Sequence, residues 1–328
     1  MLLKLIEEIR NFEGIKRKSH IKIAMDILKN VQDFGKVVVG IGDDAAVLKS
    51  NGGYLLFSAD GVLPALVREE PYAAGKASVM VNVNDIYAMG GRPVAMVNVV
   101  ASKNIERISE ILKGIAKGCE KFRVPMVGGH LHPDAEEDSL VVSIVGTAKR
   151  LLLSSNAKPG DKLIFAVDLK GRVGCKTVRS WDSTSCKSSE DVVQRLEILC
   201  DISEEKLCEA AKDVSMGGVL GTIAMLLESS GVGGDIFLDD IPKPAELTIN
   251  EWLKAFMSYG FILSVNCNNT EKVLNKFQEK EITASIIGEV KEGKVVEMVC
   301  GEEREVLFDF NKEGITGSFR DGQSFRIG

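Results

Sequence analysis

Long apolar runs are missing from this 328-residue chain: none approaches the ~20 residues that cross a bilayer, so no membrane partner is expected. A cysteine framework is missing too. The seven cysteines, at 119, 175, 186, 200, 208, 267 and 300, are odd in number and never form C-x-x-C, a pattern of reduced thiols. Proline is scarce at 8 residues, and the 32 glycines form no low-complexity tract or internal repeat, which argues against disorder. Positive charge is not in excess either. A net charge of −6 gives no general attraction to nucleic acid or an anionic membrane, and the short run Lys16-Arg17-Lys18 reads as a solvated turn. The opening Met-Leu-Leu-Lys-Leu-Ile meets Glu7 and Glu8 at once, so an amphipathic helix is expected there rather than a signal peptide, and a cytoplasmic location with it. There is no readable Ser-His-Asp or Cys-His arrangement, no G-x-x-x-x-G-K-[ST] loop and no G-x-G-x-x-G in its proper context.

What remains is 45% hydrophobic and 27% charged, the composition of a soluble globular protein. Its length predicts two domains of roughly 150 residues. Helices are expected at residues 2–11 and 19–32, the second with Ile21, Ala24, Ile27, Leu28 and Val31 on one face. Strand-like segments at 36–48 and 54–59 flank the turn Ser50-Asn51-Gly52-Gly53. A helix at 71–89, a strand at 93–101, a helix at 104–121 and a strand at 139–148 complete a β-β-α-β-α-β domain. The polar stretch and Pro-Gly turn between Arg150 and Lys162 place a boundary there, giving domains 1–152 and 153–328. The second half reads as an α/β domain. It has strands at 162–167, 234–239, 261–266, 284–290 and 294–300, helices at 189–200, 203–212, 216–230 and 247–258, and a mobile polar loop at 180–190.

Acidic, glycine-flanked turns carry the chemistry. Gly-Ile-Gly-Asp43-Asp44-Ala-Ala and Ser58-Ala-Asp60-Gly place carboxylates at strand ends, either as cation ligands or as plain bulges and turns. In Val-Asn82-Val-Asn84-Asp85-Ile-Tyr-Ala-Met-Gly-Gly, Asn82 and Asp85 share one helix face, where they need a metal or a hydrogen-bond network. Lys76, two turns earlier, is either a surface lysine or the cation that steadies a transferred phosphoryl group. Val-Gly128-Gly129-His130 allows backbone N–H groups to approach phosphate closely. His130 and His132 lack the further ligands zinc would need. Asp213-Val-Ser215-Met-Gly-Gly reads as a helix N-terminus, capped by Asp or Ser or open to an anion. Carboxylates about 4 Å apart repel by roughly 4 kcal/mol at an effective dielectric near 20, so a cation such as Mg²⁺, completed by substrate phosphates, is expected among them.

At these residues the chain resembles the PurM-like superfamily of aminoimidazole ribonucleotide (AIR) synthetase, selenophosphate synthetase, thiamine-monophosphate kinase and the hydrogenase-maturation carbamoyl dehydratase. The resemblance covers nearly the whole chain in order. Beyond the turns above it takes in Ala-Lys-Pro-Gly160-Asp161, Ser230-Gly-Val-Gly and Ile287-Gly-Glu-Val. On Gly-Gly-His130-Leu-His132-Pro-Asp134 the branch it looks most like is the AIR synthase-related methanogenesis marker protein 2 of methane-producing archaea. The resemblance implies a homodimer whose N-terminal domains join their sheets into a barrel, with ATP sites in clefts near that interface and a C-terminal α/β domain over each. It implies Asp44, Ser58, Asp60, Asp85 and Asp213 as Mg²⁺ ligands, Gly128 and Gly129 as backbone contacts to ATP phosphates, and Ser215 as a nucleotide contact. Asp43, Asn84 and His130 fall on the cofactor-binding side, and Lys76 stands with Asp60 and Asp85 among the catalytic residues.

The departures are equally definite. The kinase branch carries acids where this chain has His130 and Met216, and the reactive cysteine of selenophosphate synthetase has no counterpart before Cys119. The cysteine-bearing tail of the carbamoyl dehydratase is replaced by Phe325-Arg-Ile-Gly. The expected activity is Mg²⁺- and ATP-dependent transfer of the γ-phosphoryl group to a small-molecule acceptor. The alternatives are a kinase-like or selenophosphate synthetase-like enzyme and a dimeric ATP-binding scaffold without turnover.

Overall fold

The computed structural model describes residues 2–32, 34–35 and 37–317. Three helices open the chain: α1 (Leu2–Arg10), α2 (Glu13–Lys16) and α3 (Ile21–Leu28). Then come β1 (Val37–Val39), β2 (Ala46–Ser50), β3 (Gly53–Gly61), α4 (Pro64–Glu69), α5 (Pro71–Ala88), β4 (Arg92–Ala101), α6 (Ile105–Phe122), β5 (Met126–His132) and β6 (Ser139–Ala148). These strands form one sheet in the order β1-β2-β3-β6-β4-β5, antiparallel except for the β4–β5 pair. Ser50 pairs with Gly53, so Asn51-Gly52 is a two-residue hairpin loop, and Gly52 sits at φ +82° as that turn demands.

In β6 every second residue is buried, so one sheet face meets the core. The other face is apolar as well but open, with Phe57, Val94, Val97, Val99 and Val127 exposed. Helix α5 lies across the inner face and is buried on nearly every side, as an Ala/Val/Met helix without a polar stripe should be. It crosses α6 at glycines: a Cβ on Gly75 or Gly114 would stand 2.1 Å from a carbonyl oxygen of the facing helix.

The second half comprises β7 (Lys162–Val167), β8 (Arg172–Val173), β9 (Ser180–Asp182), α7 (Ser189–Glu204), β10 (Ala210–Asp213), α8 (Gly218–Ser230) and β11 (Gly233–Phe237). It continues with α9 (Ile249–Leu253), β12 (Phe256–Met257), β13 (Gly260–Val265), α10 (Thr270–Glu279), β14 (Thr283–Lys291), β15 (Val295–Cys300) and β16 (Glu303–Asp309). Its main sheet runs β10-β13-β7-β14-β11-β15-β16, and β12-β9-β8 form a small second one.

The core is continuous between the halves: Leu56, Val79, Ile86 and Ile144 belong to one cluster with Ile164, Leu196, Phe261 and Phe277. Leu2, Ile6 and Ile9 of α1 pack instead into the cluster of the second sheet, with Phe308 and Phe310.

Several expectations are corrected. The first domain has six strands rather than four, because the segment expected at 36–48 splits into β1 and β2 around the Asp43–Asp44 loop, and Gly128-Gly129-His130 lies in strand β5. The stretch 203–212, expected as helix, ends α7 at Glu204 and becomes β10, which pairs along its length with the fully buried β13. That pairing overrides the helical preference of Ala-Ala-Lys. The helix at 247–258 stops at Leu253 and is followed by β12. The polar stretch at 180–190 is not a free loop, since Trp181 is buried with its indole donating to Asp168 O at 3.0 Å, and Ser183 bonds Ser258. The apolar face expected on 19–32 contributes no buried residue in α3, where Ile27 is 70% exposed.

Candidate functional site

Four elements bring their acids to one place. The β1–β2 loop turns at Gly42, which sits at φ +126°, and delivers Asp44; β3 carries Asp60 next to its last residue, α5 carries Asp85, and β10 ends with Asp213. Carboxylate oxygens of Asp44, Asp85 and Asp213 lie within 4.8 Å of one another. They line a cavity of about 570 Å³ between the halves, together with Asp43, Asp60 and Ser215. Ser58 Oγ donates to Asp85 Oδ2 at 2.5 Å, just behind this wall.

Asp43 plays a structural part. Its Oδ1 accepts from Asp44 N–H at 3.0 Å and its Oδ2 from Ser154 N–H at 3.0 Å, which ties the acidic loop to the junction between the halves. Asp213 and Ser215 do not cap a helix as expected. Asp213 closes a strand, and α8 begins after Gly217 with no side-chain cap.

Burial and mutual repulsion set the electrostatics. Desolvation, followed by the Asp44 charge, pushes Asp213 up to about 8, and the same two causes push Asp43 up to about 6. Asp85 is raised well above the usual carboxylate range by burial and by the charges of Asp60, Asp213 and Asp44. Asp60 is raised by burial against the opposing pull of Lys18.

The cation that answers this cluster is Lys212, which no sequence motif singled out. Its ammonium pairs with Asp44 Oδ1. Burial alone would lower its pKa, but Asp44, Asp43 and Asp213 more than offset that and raise it above the ordinary lysine value. Once 203–212 is known to end in a strand, the Lys212-Asp213 pair at its close is the signal that could have found it. Arg17 and Lys18, expected in a solvated turn, line the same cavity. Five carboxylates therefore face three cations, and Asp44 Oδ2 is buried with no hydrogen-bond partner. Oxygen-only donors with excess negative charge and an orphaned carboxylate oxygen fit a divalent cation of the Mg²⁺ type.

The other expected site residues stand apart. Asn84 is buried beside the site, its amide donating to Ser258 O at 3.3 Å and its Oδ1 unpartnered. Gly128, Gly129 and His130 lie on the exposed edge strand β5, outside the cavity, with the His130 ring 4.4 Å from that of His132. Lys76 lines a different cavity, where its ammonium donates to Ser185 Oγ at 2.5 Å.

Fold and site together define a two-part α/β protein with an acidic cleft between its halves. The chain belongs to the AIR synthase related protein family: residues 42–149 match its N-terminal domain and residues 158–301 its C-terminal domain. An uncharacterized protein of Methanocaldococcus jannaschii is 44% identical over 96% of this chain and 99% of its own length. Among solved structures, T. maritima PurL complexed with ATP superimposes with a TM-score of 0.71 at 21% identity, over 85% of this chain and 48% of that one. AaThiL complexed with AMPPCP and TMP does so with a TM-score of 0.66 at 21% identity, over 87% and 96%. The chain thus spans about half of PurL and nearly all of ThiL. At these identities the likeness is one of fold. Among the described residues no helix is long and apolar enough to cross a membrane.

Proposed function

We propose that this chain is a Mg²⁺- and ATP-dependent enzyme that transfers the γ-phosphoryl group to a small-molecule acceptor. The observation that carries the reading is the convergence of Asp44, Asp85 and Asp213 oxygens within 4.8 Å of one another, with Asp44 Oδ2 buried and unpartnered. The ATP and AMPPCP in the PurL and ThiL structures support it.

Asp44, Asp85 and Asp213 would hold Mg²⁺, with Asp60 beside them and Ser58 fixing the Asp85 carboxyl. Bound Mg²⁺ would supply charge neutralisation across phosphate oxygens. Arg17 and Lys18 offer guanidinium and ammonium groups to the same phosphates, and Lys212 holds Asp44 in place. Ser215, in the cavity wall, would touch the nucleotide. The acceptor oxygen bonds to the γ-phosphorus as the bond to the bridging oxygen breaks; ADP leaves with that electron pair, and a hydroxyl acceptor releases its proton to solvent. The protein's part is orientation and electrostatics.

A homodimer belongs to this reading, built on the open apolar sheet face and the edge strand β5, where Gly128, Gly129 and His130 would approach the partner copy. Met216, which lines the cavity where the kinase branch has an acid, favours a second reading: an ATP-binding scaffold without turnover.

Calorimetric titration with ATP, with and without Mg²⁺, tests the site. Saturable Mg²⁺-dependent binding by the wild type, weakened roughly a hundredfold in Asp213→Asn and in Asp60→Asn, is the expected result. Unchanged affinity in both folded variants removes the assignment, and sustained ATP consumption with any acceptor removes the scaffold reading.

A further inference from the structure

Beside the carboxylate cavity lies a second one, of about 410 Å³, for which the nucleotide reading has no use. The two share Leu66, Ala77, Val178 and Phe256 in their walls. Helix α5 runs along both. Its Ala77, Val81 and Asp85 face the carboxylate cavity, and its Ala73, Lys76 and Met80 face the second.

The second cavity is basic where the first is acidic. Lys76, Lys121 and Arg172 line it. Among the described residues, none of the three has a carboxylate within ion-pair distance. Lys76 donates to the Ser185 hydroxyl, and Lys121 to the carbonyls of Ser185 and Lys187. The two acids of this cavity are already engaged. Asp182 Oδ1 accepts from the N–H groups of Thr184 and Ser185, and Glu70 Oε1 from those of Lys176 and Thr177. Partial burial, then Lys117 and Lys76, lowers the Lys121 pKa, so its ammonium stands in a field that a bound anion would relieve. Apolar surface from Leu66, Met80 and Phe256 completes the wall.

We infer that this cavity is the acceptor site and takes a small molecule with a phosphate or carboxylate at one end, held by Lys76 and Lys121, and an apolar middle. This rests on the phosphoryl-transfer reading above. Lys76 and Asp85 are nine residues apart on α5, roughly 13 Å along the helix axis, which sets the reach of an acceptor whose far end meets the γ-phosphate. Lys76 thereby becomes a substrate-binding residue instead of a stabiliser of the transferred group.

Trp181 lines the cavity, so its fluorescence reports occupancy. The wild type, Lys76→Ala, Lys121→Ala and the surface variant Lys113→Ala, outside the cavity, are titrated with inorganic phosphate and, separately, acetate, without Mg²⁺ or nucleotide. Mg-ATP affinity is measured in parallel on each protein. The expected result is saturable binding of one anion, weakened roughly tenfold or more by each lysine change with Mg-ATP affinity retained. Which anion saturates identifies the end group. No saturable binding of either anion, or equal affinity across all four proteins, overturns the inference. Anion binding that depends on these lysines in a protein that fails to bind Mg-ATP supports the anion cavity and overturns the phosphoryl-transfer reading instead.

Discussion

Asp213 and Asp43 make the pH response of the site readable. Both carboxyls are raised in the folded chain, to about 8 and about 6, above the ordinary carboxylate value near 4. The folded state therefore holds protons that the unfolded chain has released, and the stability these two groups contribute is greatest below about pH 4 and falls as pH rises through about 6 and then about 8. Thermal melts of the metal-free protein should show a falling Tm over that range. Mg²⁺ should raise Tm most at the alkaline end, where it no longer competes with protons. A flat or rising profile without metal would contradict the cluster's electrostatics. The acids of this site were legible because Asp at a strand end or on an apolar helix needs a reason. Lys212 was not, since a lysine beside an aspartate carries no signal until the strand that aims both is known. The closeness of Arg17 and Lys18 to these acids was not legible for a related reason: the turn is exposed as expected, and only chain folded from far away sets it beside the cavity.

At the scale of elements, the crossing of α5 over α6 is the feature that leaves least room. Replacing Gly114 by Ala would place a methyl 2.1 Å from the Tyr72 carbonyl oxygen, a backbone neighbour that cannot rotate away. The helix-propensity gain of about 1 kcal/mol is then outweighed by overpacking of ~1–3 kcal/mol or more, and a lower urea midpoint with unchanged m-value is expected. A midpoint at or above the wild type would mean that the helices separate easily. The long elements of the first half, α5, β4, α6 and β6, were readable from apolar periodicity and their Gly/Pro punctuation. Elements defined by pairing partners were not. β5 carries two adjacent glycines and is a strand because it lies parallel to β4, and β10 is a strand because β13 offers it a ladder. Trp181 likewise converts a Ser-rich stretch into ordered structure by reaching a buried carbonyl.

For the molecule as a whole, the uncovered sheet face leads to a prediction about assembly. Val127 on β5 and Val97 on β4 are 66% and 45% exposed, beside Val94 and Val99. Light scattering should give a dimer, and a Val97→Asp/Val127→Asp double variant should run as a folded monomer. A wild-type monomer at working concentrations would remove the dimer from the proposed site. The docking of α1 has a consequence of another kind, in the timing of synthesis. Leu2, Ile6 and Ile9 are made roughly 300 residues before their partners Phe308 and Phe310. At roughly 5–20 residues per second these side chains stay unsheltered for roughly 15–60 s, while the rest of the chain is assembled. A nascent chain halted anywhere short of β16 therefore presents an apolar amphipathic helix to whatever chaperone waits at the exit tunnel.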